Sequence, residues 1–166
     1  MSISKRLKYI ADLVTCTGTA ADIGTDHALV PLYLLKEERC SKVIAADISS
    51  ACLKKSQEAA VKYGLEGRLE PRLSDGFEKI APYEADTVII TGMGGIAICS
   101  ILEKGAETAN TVKELILSPH RDADLVREFL AGIGFEIVAD EKITDKKKEY
   151  CVIKARNSRF FLKEEA

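Results

Sequence analysis

The 166-residue sequence lacks the clustered cysteine and histidine residues that a protein metal site requires. Its five cysteines are scattered singly, with no C-x-x-C pair, and only two histidines are present to complete a metal site. An odd number of isolated cysteines also argues against a disulfide framework. We therefore expect no bound metal, and reduced thiols in the cytosol.

The sequence also lacks an excess of positive charge and a long apolar run. The formal net charge is −2, so any binding of nucleic acid must use a local basic patch. The longest uncharged run, residues 87–102, is shorter than a bilayer span and contains three glycines. Charged residues at positions 5–8 interrupt any apolar core of a signal peptide. These features predict a cytoplasmic protein without a membrane partner.

The composition and the periodicity of apolar residues predict a single α/β domain. Hydrophobic residues make up 46% of the chain and charged residues 30%, which is typical of one soluble domain with a substantial core. Apolar residues at helical spacing predict an opening amphipathic helix, and its other face carries three basic residues, Lys5, Arg6 and Lys8. Further helices are expected at residues 28–38 and 49–63.

Short apolar runs alternate with these helices and predict the strands of a parallel sheet that is buried on both faces. The runs are residues 19–23, 43–47, 69–73, 87–90 and 115–117. Phe135–Ala139 and Tyr150–Ala155 flank a charged segment, Asp140–Glu149, that is too short for a crossover helix. We interpret these two runs as an antiparallel hairpin that closes the sheet. The tail, residues 156–166, has no place in this scheme.

The first strand ends in the sequence Asp22-Ile23-Gly24-Thr25-Asp26-His27, at the sheet edge where α/β folds bind ligands. A dinucleotide-binding motif would have glycine at the positions of Asp26 and Leu29, to place a pyrophosphate on the helix N-terminus. A carboxylate there disfavours phosphate and suits a ligand with an ammonium group, such as the methionyl end of S-adenosylmethionine. The alternative is that Asp26 only caps the following helix.

The next two strand ends are also acidic. Asp47 follows the glycine turn at the spacing expected of an acid that accepts the ribose hydroxyls of an adenosine. Asp75 can accept a hydrogen bond from the adenine amine, while Gly76 keeps the floor of the site clear. A helix cap at Asp47 and an ordinary turn at Asp75-Gly76 are the alternatives.

The fourth strand runs into Thr91-Gly92-Met93-Gly94-Gly95, where three glycines in four residues indicate a backbone close to another group. A flexible connection is the alternative. His27 and His120 both fall at predicted strand-to-helix turns and are further candidates, although an isolated histidine is more often a hydrogen-bonded structural residue.

Taken together, these motifs resemble the bacterial tRNA (adenine-N1) methyltransferases that modify adenosine at tRNA position 22. The matching segments are residues 21–28, Asp47, residues 72–76 and Gly92-Met93-Gly94-Gly95, within a resemblance that covers about residues 4–155. The resemblance implies a Rossmann-like class I methyltransferase fold, with a mostly parallel seven-stranded sheet, a terminal antiparallel hairpin and helices on both faces. It also implies S-adenosyl-L-methionine as cofactor and tRNA as substrate.

The resemblance assigns site residues as well. It implies a cofactor site formed by Asp22, Gly24, Asp26, Asp47, Asp75 and Gly76, and we expect His27, Ile48 and Gly92 to line the same site. The catalytic candidates, which border the target base or steer it, are Asp26, His27, Gly92, Met93 and Gly94. No metal ligand is expected.

Two departures from the family pattern affect these expectations. The chain has Ser118-Pro119-His120 where members of the family tend to have Gln-Pro-Asn after the fifth strand. The family also carries a C-terminal helical extension that helps to grip tRNA. We therefore expect residues 1–155 to form the methyltransferase domain and residues 156–166 to begin a truncated extension.

Methyl transfer from a sulfonium is an in-line displacement in which the protein chiefly aligns the reacting groups. On the proposed substrate, adenine N1 attacks directly and leaves a cationic product, and the base must be extruded from folded tRNA. Two alternatives stay open at this point. One is a methyltransferase acting on a small molecule or a protein, and the other is a nucleotide-binding module without catalysis.

Overall fold

Helices and strands alternate along the chain in the computed structural model, which describes residues 2–161. The helices are α1 (Lys5–Asp12), α2 (Leu29–Lys36), α3 (Ser50–Lys62), α4 (Gly95–Lys104), α5 (Ala106–Ala109), α6 (Ala123–Gly132) and α7 (Ser158–Phe161). The strands are β1 (Thr19–Ile23), β2 (Lys42–Asp47), β3 (Leu69–Leu73), β4 (Thr87–Met93), β5 (Glu114–Pro119), β6 (Phe135–Asp145) and β7 (Lys148–Asn157).

The strands form one seven-stranded sheet in the order β3-β2-β1-β4-β5-β7-β6. The first five strands are parallel, and β7 pairs antiparallel with both β5 and β6. Consecutive strands run outward from β1 to β3, and the chain then returns to place β4 on the other side of β1. The strand order therefore reverses between β1 and β4, which is where such sheets bind ligands.

Helices cover both faces of the sheet because each central strand is apolar on both sides. Val88 and Ile90 pack in the cluster that includes residues of α4, α5 and α6, whereas Ile89 packs in the cluster that includes residues of α1, α2 and α3. All three side chains are fully buried. The predicted doubly wound architecture with a terminal hairpin is confirmed.

Local capping explains where two of the helices begin. The Ser4 side chain accepts a hydrogen bond from the Leu7 amide at the start of α1. The Ser49 side chain accepts a hydrogen bond from the amide of Cys52 at the start of α3. These side chains satisfy amides that the first helical turn leaves without partners.

The hairpin is longer than the sequence predicted. The charged segment Asp140–Glu149 was expected to connect two short strands, but β6 and β7 continue through it and pair as far as Asp145 with Lys148. Lys146 and Lys147 form the turn, and both have positive φ, as a two-residue hairpin turn requires. The prediction was wrong there because charged residues on strands that project into solvent carry no apolar pattern.

The fourth strand also extends beyond its predicted end at residue 90, because β4 continues to Met93 with an irregular register after Thr91. Gly92 has a φ of 76°, which lets the strand bulge and resume. At the other end of the sheet, β7 includes Arg156 and Asn157, so these two residues belong to the sheet and not to an unplaced tail.

Asn157 is fully buried and donates to the backbone oxygens of Asn110 and Val112, which anchors the end of β7. The sheet therefore takes the first two residues of the segment predicted to begin a C-terminal extension; the extension itself remains a prediction, and residues 162–166 lie outside the described part. Within residues 2–161, no helix combines the length and apolar character of a membrane span, and no group of three or more potential metal ligands is found.

Candidate functional site

Two adjoining cavities open at the carboxyl ends of the central parallel strands, and Gly24, Asp47 and Met93 line both. The smaller cavity has a volume of about 380 Å³ and the larger about 1070 Å³. The smaller cavity brings together these predicted site residues: Asp22, Gly24, Asp26, His27, Asp47, Gly92 and Met93. The larger cavity adds Ile48, Asp75 and Gly76. Predicted residues from four strand ends therefore share one connected space.

Asp22 is the most deeply buried carboxyl group of the smaller cavity, with 4% of its surface exposed. Its position is set by β1, whose neighbours β2 and β4 enclose it on both sides. Burial raises the pKa of Asp22 from 3.8 to about 7, and the negative charges of Asp47 and Asp26 act in the same direction. A cation that entered this cavity would relieve the repulsion.

The Asp47 carboxylate links the turns after β1 and β2 by accepting a backbone hydrogen bond from each. One carboxylate oxygen accepts a hydrogen bond from the Asp26 amide at 3.2 Å, and the other accepts from the Ser49 amide at 2.9 Å. Ser49, and not Asp47, is the side-chain cap of α3. Each carboxylate oxygen keeps a second lone pair for a ligand hydroxyl.

Gly24 allows the tight turn at the end of β1. Its φ is 76°, and both its amide and that of Thr25 donate to the backbone oxygen of Ala46. A Cβ at this position would lie 2.6 Å from Cε of Met93. The glycine therefore keeps open the narrow connection between the two cavities.

Asp26 and His27 form the exposed rim of the smaller cavity. Asp26 has a φ of 54°, and its carboxylate lies 3.7 Å from Nε2 of His27. The side chains are 71% and 53% exposed. Helix α2 begins after Ala28 without any side-chain cap, so the Asp26 carboxylate is not used as the predicted alternative, a helix cap.

The larger cavity contains an exposed aspartate above a mostly apolar wall. Asp75 is solvent-accessible, whereas the buried Ser74 hydroxyl donates to the backbone oxygen of Gly76 and shapes the turn. Gly76 has a φ of 58° and lies against Ile101. Ile48 stands at the rim with 72% of its surface exposed. This arrangement suits a flat, partly apolar ligand with a polar edge.

The glycine-rich segment divides into two parts. Gly92 and Met93 line the smaller cavity, as expected for residues that border a substrate. Gly94 lines neither cavity and lies against the Arg121 side chain. Gly95 is required for packing, since a Cβ there would lie 2.3 Å from the backbone oxygen of Asp122.

The C-terminal end of β5, with His120 after it, supports that segment, and Ser118, Pro119 and His120 line neither cavity. Ser118 is buried and donates to the backbone oxygen of Cys151 at 2.7 Å, and the amide of His120 donates to the backbone oxygen of Met93 at 2.9 Å. The His120 side chain is exposed and lines neither cavity. The Ser118 side chain thus joins β5 to β7, and the His120 amide holds the end of β4 in place.

Several residues that line the smaller cavity were not predicted as site residues, among them Arg6 and Thr25. Arg6 was assigned to an outer basic face, but it is half-buried and lines the smaller cavity together with Leu7. Thr25 is 6% exposed and lines the same cavity. Thr25 lies inside the motif at the end of β1, so the sequence could have indicated it as a site residue. Nothing in the sequence indicated that α1 would lie over this site.

Comparison with known proteins agrees with this geometry. Residues 3–153 match the family described as "Methyltransferase domain". The chain is 33% identical over 155 residues to the tRNA (adenine(22)-N(1))-methyltransferase of Bacillus subtilis (strain 168), an alignment that covers 93% of this chain. The chain spans 65% of the length of that relative.

Two solved structures have the same fold with a ligand bound. The Streptococcus pneumoniae protein Sp1610, in complex with S-adenosyl-L-methionine, is 29% identical, with a TM-score of 0.90 over 94% of this chain and 73% of that one. TrmK of M. capricolum, in complex with S-adenosyl-homocysteine, is 27% identical, with a TM-score of 0.86 over 95% of this chain and 70% of that one. The chain belongs to the methyltransferase domain family and, within it, is similar to the tRNA (adenine-22-N1) methyltransferases.

Proposed function

We propose that the chain uses S-adenosyl-L-methionine to methylate N1 of an adenine at position 22 of tRNA. The observation that carries the proposal is the convergence of Asp22, Asp26 and Asp47 on one cavity at the point where the strand order reverses. Three carboxylates there favour a cationic ligand without phosphate. The resemblance to the B. subtilis enzyme supplies the substrate.

The residues present fit the cofactor. The larger cavity, with Asp75 at its edge and an apolar wall, suits the adenine, and Asp47 suits the ribose hydroxyls. The Asp22 carboxyl of the smaller cavity suits the ammonium of the amino-acid end. The Thr25 side chain is buried in the same cavity and adds a hydroxyl group that a polar ligand atom can contact.

The cofactor, when bound, supplies a methyl group on a positively charged sulfur. The chain holds the target adenine of the tRNA so that the N1 lone pair of this base faces that methyl group. Met93 and Gly92 exclude water from the space between them. The product base is cationic, and the Asp26 carboxylate at the rim stabilises that charge. His27 lies beside Asp26 on the same rim, which places it to contact the target base in this proposal. The proposal thus gives Asp26, His27, Gly92 and Met93 the catalytic roles expected from the sequence, whereas Gly94, which lines neither cavity, supports the segment through packing.

Binding of tRNA requires a local basic patch because the net charge is −2. Lys5 is exposed on α1 and is free to contact a phosphate, while Lys8 is paired with Asp12 at 2.7 Å. A Lys5→Glu variant should bind tRNA less tightly, with a weaker dependence on salt. We also propose a cytoplasmic location, which a role in tRNA modification supports.

Incubation with unmodified tRNA and methyl-labelled cofactor tests the function. We expect 1-methyladenosine among the nucleosides after digestion, and none when adenosine 22 is replaced by guanosine. An Asp47→Ala variant should give no product. Label recovered at another position, or no methylated nucleoside at all, would contradict the proposed substrate. A protein that binds NAD but not S-adenosyl-L-methionine would contradict the cofactor as well.

A further inference from the structure

The tip of the terminal hairpin carries three consecutive lysines, Lys146, Lys147 and Lys148, and all three are exposed. Strands β6 and β7 pair as far as Asp145 with Lys148, so Lys146 and Lys147 form the turn. Because β7 is antiparallel to both β5 and β6, β6 runs in the same direction as the parallel strands. The tip therefore projects from the sheet edge at which the two cavities open.

The tip is fixed beside the start of α1. The carboxylate of Asp145 accepts a hydrogen bond from the backbone amide of Arg6 at 3.0 Å, and the guanidinium carbon of Arg6 lies 4.4 Å from the centre of the Tyr150 ring. Arg6 itself lines the smaller cavity. Lys5 and Lys146 are the chain neighbours of Arg6 and Asp145, so Lys5 joins the hairpin lysines in one group beside this cavity. We call this group the basic tip: Lys5, Lys146, Lys147 and Lys148.

The positive charge of the basic tip is not balanced by ion pairs. Among the ion pairs formed by residues 2–161, none involves a lysine of the basic tip. Neighbouring lysines are paired, Lys8 with Asp12 at 2.7 Å and Lys142 with Glu149 at 3.6 Å. Like charges that lie close together repel one another and do not help the hairpin to fold. The group is better explained by a polyanionic partner.

We propose that the basic tip binds the ribose-phosphate backbone of the tRNA next to the target adenosine. The inference rests on the proposed function and adds to it an interaction surface on the terminal hairpin. Phosphate contacts fix the position of a nucleic acid without reading its sequence, and a base can be extruded only while its backbone is held. The basic tip adjoins the cavity whose rim is formed by Asp26 and His27, which is where the extruded base has to enter.

An anionic lipid surface fits the basic tip less well than RNA does. Segments that bind such surfaces combine basic residues with apolar side chains that enter the boundary of the acyl chains. The turn from Asp145 to Lys148 has no apolar side chain. A backbone of phosphates needs only the positive charges that the tip supplies.

Binding of unmodified tRNA by the double variant Lys146→Gln/Lys147→Gln, measured at several salt concentrations, tests the proposal. Neither lysine lines a cavity, so the variant should bind S-adenosyl-homocysteine as wild type does, which also shows that it is folded. The slope of log affinity against log salt should fall by roughly 1.4 to 1.8, and tRNA should bind about 10- to 50-fold more weakly at about 0.1 M salt. The KM for tRNA should rise by a similar factor while kcat is unchanged.

Lys54→Gln/Lys55→Gln is the matched control. Lys54 and Lys55 are also adjacent and exposed, they lie on α3, and they line neither cavity. This variant loses the same charge and should bind tRNA as wild type does. Equal losses in the two double variants would assign the effect to overall charge, and unchanged tRNA binding by the tip variant would remove the tip from the interface. Either result would overturn the inference.

Two further measurements separate the inference from its alternatives. Vesicles that contain phosphatidylglycerol probe a lipid surface, and binding to them that the tip variant loses, with tRNA binding unchanged, would also overturn the inference. Methylation at the wild-type KM and kcat by the tip variant would refute the inference and leave the proposed function standing. Binding of tRNA that depends on the tip, without formation of 1-methyladenosine by wild type, would instead support the inference and refute the proposed function.

Discussion

Replacing Asp22 by asparagine tests the electrostatics of the cavity, because the two side chains have nearly the same shape and differ in charge. Asp22 is 4% exposed, and burial raises its pKa from 3.8 to about 7. In the unfolded chain the carboxyl group returns to its ordinary value, so the folded state binds the proton more tightly. The contribution of Asp22 to stability is therefore fully present below about pH 4 and is lost as the pH rises to about 7.

The magnitude follows from the same two values. At about 1.4 kcal/mol for each tenfold change in proton affinity, ionising Asp22 in the folded state lowers stability by roughly 4 kcal/mol at high pH. Between about pH 5 and about pH 8, the part of this change that can be measured is roughly 2 to 3 kcal/mol. Asp22→Asn should gain stability relative to wild type by that amount over this interval.

Urea denaturation followed by circular dichroism, repeated at several pH values, measures the difference. Asp75→Asn is the control, since it removes an exposed carboxylate from the same sheet edge and should keep the pH dependence of wild type. If the difference in unfolding free energy between Asp22→Asn and wild type is the same at both ends of the interval, the buried carboxyl group does not have the raised pKa and the reasoning is refuted.

A positively charged ligand should lower the pKa of Asp22 again, because a nearby cation favours the ionised carboxylate. The affinity of wild type for S-adenosyl-homocysteine should therefore rise as the pH increases to about 7 and then level off. Calorimetry across the same pH range checks this. An equally steep rise in Asp22→Asn would assign the pH dependence to another group.

Three further substitutions address the turn, the adenosine contact and the core. Gly24→Ala should lower the free energy of unfolding by about 1 to 3 kcal/mol, because the backbone at Gly24 has a positive φ, and it should also weaken cofactor binding. Gly67→Ala is the control, because Gly67 lies in open space and its substitution should change neither quantity. Thermal melts and calorimetry measure the two effects. Asp47→Ala should abolish S-adenosyl-L-methionine binding in calorimetry, and retained binding would remove Asp47 from the site. Glu114→Gln should destabilise the fold by about 3 kcal/mol in urea denaturation, since it leaves Lys154 without its buried ion-pair partner, and an unchanged midpoint would contradict that.

Much of the site could be read from strand ends alone. Asp22, Asp47 and Asp75 follow apolar runs, and the rule that parallel strands end at the same edge of the sheet was sufficient to predict that they meet. The family resemblance named the same residues and is supported by the comparisons. Their individual roles remain proposals until the variants are measured.

The hairpin and Arg6 show what the pattern did not reveal. The strands through Asp140–Glu149 are charged because they extend beyond the core into solvent, so their sequence lacks the apolar alternation that predicts a strand. Arg6 was predicted on a solvent-facing side of α1. It lies over the cavity because α1 packs beside the tip of the hairpin, where Asp145 and Tyr150 contact it.

The sequence by itself determined the doubly wound sheet, the terminal hairpin and the acidic edge, since these depend on local apolar periodicity and on where each run ends. Tertiary structure alone decided which side chains from distant segments complete the cavity. It brought Arg6 to Thr25 and Asp22, divided the glycine-rich segment into cavity and packing parts, and raised the pKa of Asp22. Contacts between residues far apart in the chain, and the burial that they produce, depend on how the elements pack, and no local pattern encodes them.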